Sequence, residues 1–157
     1  MKVHSQTDVG LVRTLNEDAC RTGLLGENGA WAVVCDGMGG ANGGEIASET
    51  AVNSIEEQIL ASYEEDFKSE EMKLMLSTLI FHANSAVYDM AQENESLKGM
   101  GTTIVVAIVL DNVAHIAHAG DSRAYLLHNG NIMQITTDHS MVQELIKNGD
   151  LTVEQAK

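Results

Sequence analysis

The chain has 157 residues, with 9 Lys and Arg against 23 Asp and Glu, a formal charge of −14. That balance excludes a nucleic-acid or anionic-membrane partner, because both demand a basic face to neutralise phosphate charge. A hydrophobic share of 44% is a globular composition, the length suits one domain, and no apolar run approaches the roughly 18–20 residues that cross a bilayer.

The polar start, MKVHSQTDVG, carries neither a signal-peptide nor a transit-peptide pattern. Cys20 and Cys35 have no CxxC or His-paired spacing and read as reduced core cysteines of a cytoplasmic protein. No internal repeat or linker is visible, and there is no proline. Ala19–Leu25 and Ala30–Cys35 read as two strands of a hairpin closed by Gly26-Glu27-Asn28-Gly29. Ala30–Cys35 is almost continuously apolar, as in a strand covered on both faces, and ends at Asp36-Gly37-Met38-Gly39-Gly40. A helix is expected from Gly43 or Gly44, with Val52, Ile55 and Ile59 on one stripe. A longer one fits Met72 to Met90, where Met72, Met75, Leu76, Leu79, Ile80, Ala83, Val87 and Met90 recur at three- and four-residue spacing as core fillers. The link between them (Glu56, Glu57, Glu64, Glu65, Asp66, Glu70, Glu71, with Lys68) lacks calcium-loop spacing and reads as a solvated surface.

Ile104–Leu110 and Val113–Ala119 follow as strands around Asp111-Asn112. Gly120-Asp121 reads as a tight reversal into Arg123–His128, and Asn129-Gly130 as a hairpin turn into Ile132–Ile135. Short turns of this kind predict four consecutive antiparallel strands. Ser140 with Gln143 predicts a capped short helix stopped at Asn148-Gly149. The order defines an α+β layered domain whose continuous apolar strands are covered by both helices and a second sheet.

Asp36 ends a buried strand beside a glycine-rich loop, Glu17 and Asp18 open the strand paired with it, and Asp121 sits at a reversal next to Gly120. A carboxylate at such positions either caps backbone amides as a turn residue or meets a cation. Together, an oxygen-only set points to a hard cation such as Mg²⁺ or Mn²⁺. Arg13, the nearby cation, suits bidentate phosphate recognition or an exposed salt bridge. The loop from Gly37 to Gly44 is no dinucleotide fingerprint: Asn42 stands where GxGxxG needs its third glycine, and no GK[ST] follows. His115 and His118, three apart on a strand, point to opposite faces and form no zinc pair. Asn94-Glu95-Ser96 matches a glycosylation sequon without meaning in a cytoplasmic chain.

In order, Thr7-Asp8-Val9-Gly10 with Arg13 and Asn16-Glu17-Asp18, Asp36-Gly37-Met38-Gly39-Gly40, Gly99-Met100-Gly101-Thr102-Thr103, Gly120-Asp121-Ser122-Arg123 and Thr137-Asp138-His139-Ser140 resemble the metal-dependent serine/threonine protein phosphatases of the 2C family, in its bacterial branch. The resemblance spans the whole chain. It implies a four-layer α-β-β-α sandwich with antiparallel sheets, incomplete here, and residues 1–157 as the N-terminal portion of one phosphatase domain. It also implies that Asp36 bridges two Mn²⁺ or Mg²⁺ ions and that the Gly37 carbonyl binds one. Glu17 and Asp18 would act on metal-bound waters, Arg13 would hold the phosphate, and Asp121 would contribute to a third ion. The implied reaction is hydrolysis of phosphoserine and phosphothreonine in proteins phosphorylated by a serine/threonine kinase, with water as the nucleophile. Some family members carry His after the Asp-Gly pair; Met38 here leaves leaving-group protonation to water. The family's two later metal-binding aspartates have no counterpart, and Thr152 with Gln155 starts a helix that has no body. The expectation is therefore a truncated chain with little activity alone, prone to self-association through unpaired sheet edges. The alternatives are a non-catalytic module that binds phosphoproteins and a simple acidic cation-binding domain.

Overall fold

The computed structural model describes residues 1–40, 43–64, 67–152 and 154–156. Asn42, Glu65 and Asp66, which figure in the glycine-loop and acidic-link readings, lie outside them.

Strands β1 (Asp18–Leu25) and β2 (Gly29–Met38) form the expected hairpin, in register from Leu25 opposite Gly29 to Asp18 opposite Asp36. Helix α1 (Gly43–Ser62) begins at the predicted glycine, and α2 (Ser69–Glu93) brackets the predicted stripe. A 3-10 turn (Glu95–Leu97) leads to the two-residue strand β3 (Gly101–Thr102), which pairs with the end of β2. Strands β4 (Ile104–Leu110) and β5 (Val113–Ala119) meet at Asp111 and Asn112, both left-handed with φ of 47° and 67°, the conformation a two-residue hairpin turn demands. The main sheet runs β1-β2-β4-β5, entirely antiparallel.

Alternation assigns the two faces of this sheet. Trp31, Val33 and Cys35 of β2, with Ile104, Val106 and Ile108 of β4, are buried against Ala51, Val52, Ile55 and Ile59 of α1 and Met72, Leu76, Leu79 and Ala83 of α2. Each large side chain so buried contributes about 1.5–3 kcal/mol, which outweighs the weak intrinsic preferences of the segments. Arg21 lies on the same face and ties β1 to α1 through Glu49 at 2.9 Å and Glu56 at 3.8 Å.

Two expectations are corrected. The chain does not continue as a meander after β5: residues 120–124 leave the sheet, and β6 (Tyr125–His128) pairs only with β7 (Asn131–Gln134) in a separate two-stranded ribbon. Gly120, at φ 102°, rides over Thr103, and Arg123 turns to form an ion pair with Asp138 instead of entering a ladder. Nor does a second sheet cover the face away from the helices. There Leu24 and Val34 are 59% and 47% exposed, and every residue of β6 and β7 is exposed too. The antiparallel α+β character holds, and the described residues form a helix layer, one full sheet and a ribbon, in keeping with the incomplete sandwich expected. The ribbon is followed by α3 (Met141–Asn148), capped by Ser140 Oγ accepting from Gln143 N at 3.2 Å and ended by left-handed Gly149. Thr152 and Gln155 exchange the hydrogen bonds of a capping box.

Candidate metal centre

The face of the sheet away from the helices carries the acids. Asp18 and Asp36 are direct cross-strand partners, so both carboxylates project to the same side. Sequence reasoning placed Asp36 after its strand; β2 in fact continues through Gly37 and Met38, held by β3. Both backbone polar groups of Asp36 bond to the last residue of β3 or the one after it. Its N–H donates to Thr103 Oγ1 at 3.0 Å, and its carbonyl accepts from Thr103 N at 2.9 Å and Thr102 Oγ1 at 3.0 Å.

A cleft of about 560 Å³ opens beside the pair, lined by Asp8, Arg13, Asn16, Glu17, Asp18, Asp36, Gly37 and Met38 among others. The N-terminal segment closes it with local bonds. Asn16 Oδ1 accepts from Asp18 N at 3.1 Å, Asn16 Nδ2 donates to Thr7 Oγ1 at 2.8 Å, and Gly10 N donates to Asp8 Oδ1 at 2.7 Å. Gly37 donates its N–H to the Glu17 carbonyl at 3.0 Å. No other residue fits there, because a Cβ on Gly37 would strike the Gly44 and Glu17 carbonyl oxygens. The Glu17 carboxylate packs against Gly44 at the start of α1, where the helix dipole favours negative charge. Arg13 Nη1 reaches Glu17 Oε2 at 2.7 Å, with the arginine side chain 72% exposed. Of the two readings of Arg13, the structure shows the exposed ion pair, formed by a residue that lines the cleft.

Electrostatics bring Asp121 into the group. The Asp36 carboxyl is pushed above its usual range, first by desolvation, then by repulsion from Asp18 and, more weakly, from Asp121. Arg13 pulls the other way without cancelling these. Asp121 stays outside the cleft lining, on the 120–124 segment that crosses Thr103. Repelling carboxylates on one open face, with oxygen donors only, fit a hard divalent cation that keeps several waters. They do not form a complete cage, since no three acidic, histidine or cysteine side chains among the described residues converge on one point. Thr102, Thr103 and Ser122 received no role from sequence reasoning. Their place in two glycine-containing blocks was visible, whereas the contacts between those blocks were not. His118, set aside above as a zinc ligand, and His139 of the last motif stack at 4.2 Å beside the same segment, with His118 Nδ1 buried.

The family model described as Protein phosphatase 2C matches residues 12–149. The serine/threonine phosphatase stp of Listeria welshimeri is 36% identical over 159 residues, covering 99% of this chain and 62% of its own. The crystal structure of serine/threonine phosphatase Stp1 from Staphylococcus aureus superposes with a TM-score of 0.86 at 39% identity, covering 95% of this chain and 58% of that one. The catalytic domain of the phosphatase PstP, in complex with two manganese ions, gives a TM-score of 0.77 at 34% identity, over 96% of this chain and 61% of that one. The chain belongs to the protein phosphatase 2C family. It spans about 62% of the length of the curated relatives it matches.

Proposed function

We propose that this chain carries the metal- and phosphate-binding half of a phosphatase that hydrolyses phosphoserine and phosphothreonine in proteins, using two or more Mn²⁺ or Mg²⁺ ions. One observation supports this above the rest: Asp18 and Asp36 face each other across β1 and β2 on the wall of a cleft that also holds Arg13. Nothing in the fold itself gains from opposing two carboxylates there. Such ions, when bound, act as Lewis acids and make water nucleophilic at neutral pH.

The chain's own residues supply the rest. Asp36 would be the direct carboxylate ligand, with the Gly37 carbonyl beside it; Glu17 and Asp18 would accept hydrogen bonds from water and orient it. Arg13, held at the cleft mouth by Glu17, offers its remaining guanidinium donors to a phosphate. Met38 lines the cleft without a transferable proton, so the leaving alkoxide takes its proton from solvent. Asp121 would extend the negative field toward a third ion. Among the described residues no helix is long and apolar enough to cross a membrane; likeness to bacterial serine/threonine phosphatases supports a cytoplasmic role opposite a serine/threonine kinase. The uncovered sheet face and the free edge of β5 favour self-association of the 157-residue chain.

The test is Mn²⁺-dependent release of phosphate from a phosphothreonine peptide, with Asp36→Asn as control. Slow turnover is expected from the wild-type chain, because so few ligands converge, and none from the variant. Turnover that survives the substitution or a chelator overturns the reading. Phosphopeptide binding without any turnover favours the non-catalytic module instead.

A further inference from the structure

We propose that Thr103 is a positioning residue that fixes the spacing between the Asp36 and Asp121 carboxylates. This rests on the metal-phosphatase reading above. Thr103 lies between β3 and β4 and binds both acidic segments with one side chain. Its Oγ1 accepts from Asp36 N at 3.0 Å and is 2.7 Å from Ser122 Oγ, while its own N–H donates to the Asp36 carbonyl at 2.9 Å. On its other side the methyl group fits the hollow of Gly120, where an added Cβ would fall 2.7 Å from Thr103 Cγ2.

Asp121 is thus bracketed: the residue before it packs on the Thr103 methyl, and the residue after it bonds to the Thr103 hydroxyl. Asp36 hangs from the same hydroxyl through its backbone. The two carboxylates come from segments 85 residues apart in sequence and share no ladder hydrogen bond, so among the described residues this one side chain joins their segments. If the link were cut, the 120–124 segment, which lies outside the main sheet, would lose its tether to the strand that carries Asp36. A divalent ion drawing on both acids would then meet them at the wrong separation.

The chain should be compared with Thr103→Val, which keeps the shape and methyl but deletes the hydroxyl, and Thr103→Ser, which keeps the hydroxyl. Each is titrated with Mn²⁺ alone by electron paramagnetic resonance, and its thermal midpoint is recorded. Loss of one hydrogen-bonded link predicts Mn²⁺ affinity about five- to tenfold weaker in Thr103→Val, and within about twofold of wild type in Thr103→Ser. Should Thr103→Val fail to fold, Ser122→Ala removes only the link to the Asp121 segment and should weaken Mn²⁺ about threefold. A lowered midpoint with unchanged Mn²⁺ affinity makes Thr103 purely structural and overturns the proposal. Equal losses in Thr103→Val and Thr103→Ser also overturn it, because the hydroxyl would then be irrelevant. A wild-type chain that binds no Mn²⁺ at millimolar concentration overturns the metal reading itself and this role with it.

Discussion

Replacing Asp36 by asparagine should stabilise the metal-free chain at neutral pH. Asp36 faces Asp18 directly across an antiparallel pair, and a like-charged pair in that relation costs about 0.5–1 kcal/mol. At this chain length such a gain raises the thermal midpoint by about 1–4 °C. The sign follows from the direction of the Asp36 shift, upward through desolvation and then Asp18. A carboxyl raised in the folded state contributes stability below its unfolded value, near 3.9, and loses it as pH rises through the folded value. Wild type therefore bears the penalty at pH 7 and sheds it toward pH 3, below the unfolded value of the Asp36 carboxyl, where the two proteins should melt alike. Both side chains are exposed, so the gain should shrink in high salt. Adding Mn²⁺ should reverse the order, because only wild type retains the ligand that couples binding to stability. Melting curves followed by circular dichroism, with chelator and then with Mn²⁺, read all of this. A variant less stable than wild type at pH 7 without metal would show that Asp36 anchors the fold, and a gain persisting at pH 3 would show that packing, not charge, is responsible.

Arg13→Ala should change stability by less than about 0.5 kcal/mol, since its ion pair with Glu17 is solvent-exposed, yet weaken phosphate binding roughly 10- to 150-fold. Calorimetry with inorganic phosphate and Mn²⁺ measures the binding effect, and unaltered phosphate affinity refutes the assignment. Cys35 is fully buried, and desolvation pushes its thiol up to about 12, so iodoacetamide at pH 8 should modify the folded protein at Cys20 alone; a Cys35 adduct in the mass spectrum contradicts the burial. Asp138 is held below the usual carboxylate range, chiefly by its hydrogen bonds from Arg123, so its contribution is present above the unfolded carboxyl value and is lost as pH falls through the folded one. Asp138→Asn should therefore speed amide exchange in the β6–β7 ribbon at pH 7, and an unchanged exchange rate would show that the ribbon is held otherwise.

What the sequence determined by itself is whatever short-range energies encode. The β4 and β5 boundaries, the Asp111-Asn112 and Asn129-Gly130 turns, the Ser140 cap and the Gly149 stop all depend on residues within a few positions of one another. The stripe predicted from Met72 to Met90 likewise needs only helical periodicity to declare its buried face, although Met90 itself, at its end, is 37% exposed. Motif order was enough to nominate Arg13, Glu17, Asp18, Asp36, Gly37 and Asp121. Tertiary structure alone decided how these are arranged. That Asp36 lies within β2 depends on Gly101 and Thr102 pairing with its end, and the path of residues 120–124 depends on Thr103 meeting Gly120 and Ser122. Alternating and continuous apolar strands look the same whether a second sheet covers them or not, so Val34 and Leu24 could not announce their exposure. Burial and carboxylate repulsion are set by residues distant in sequence, and only the folded chain brings those within range.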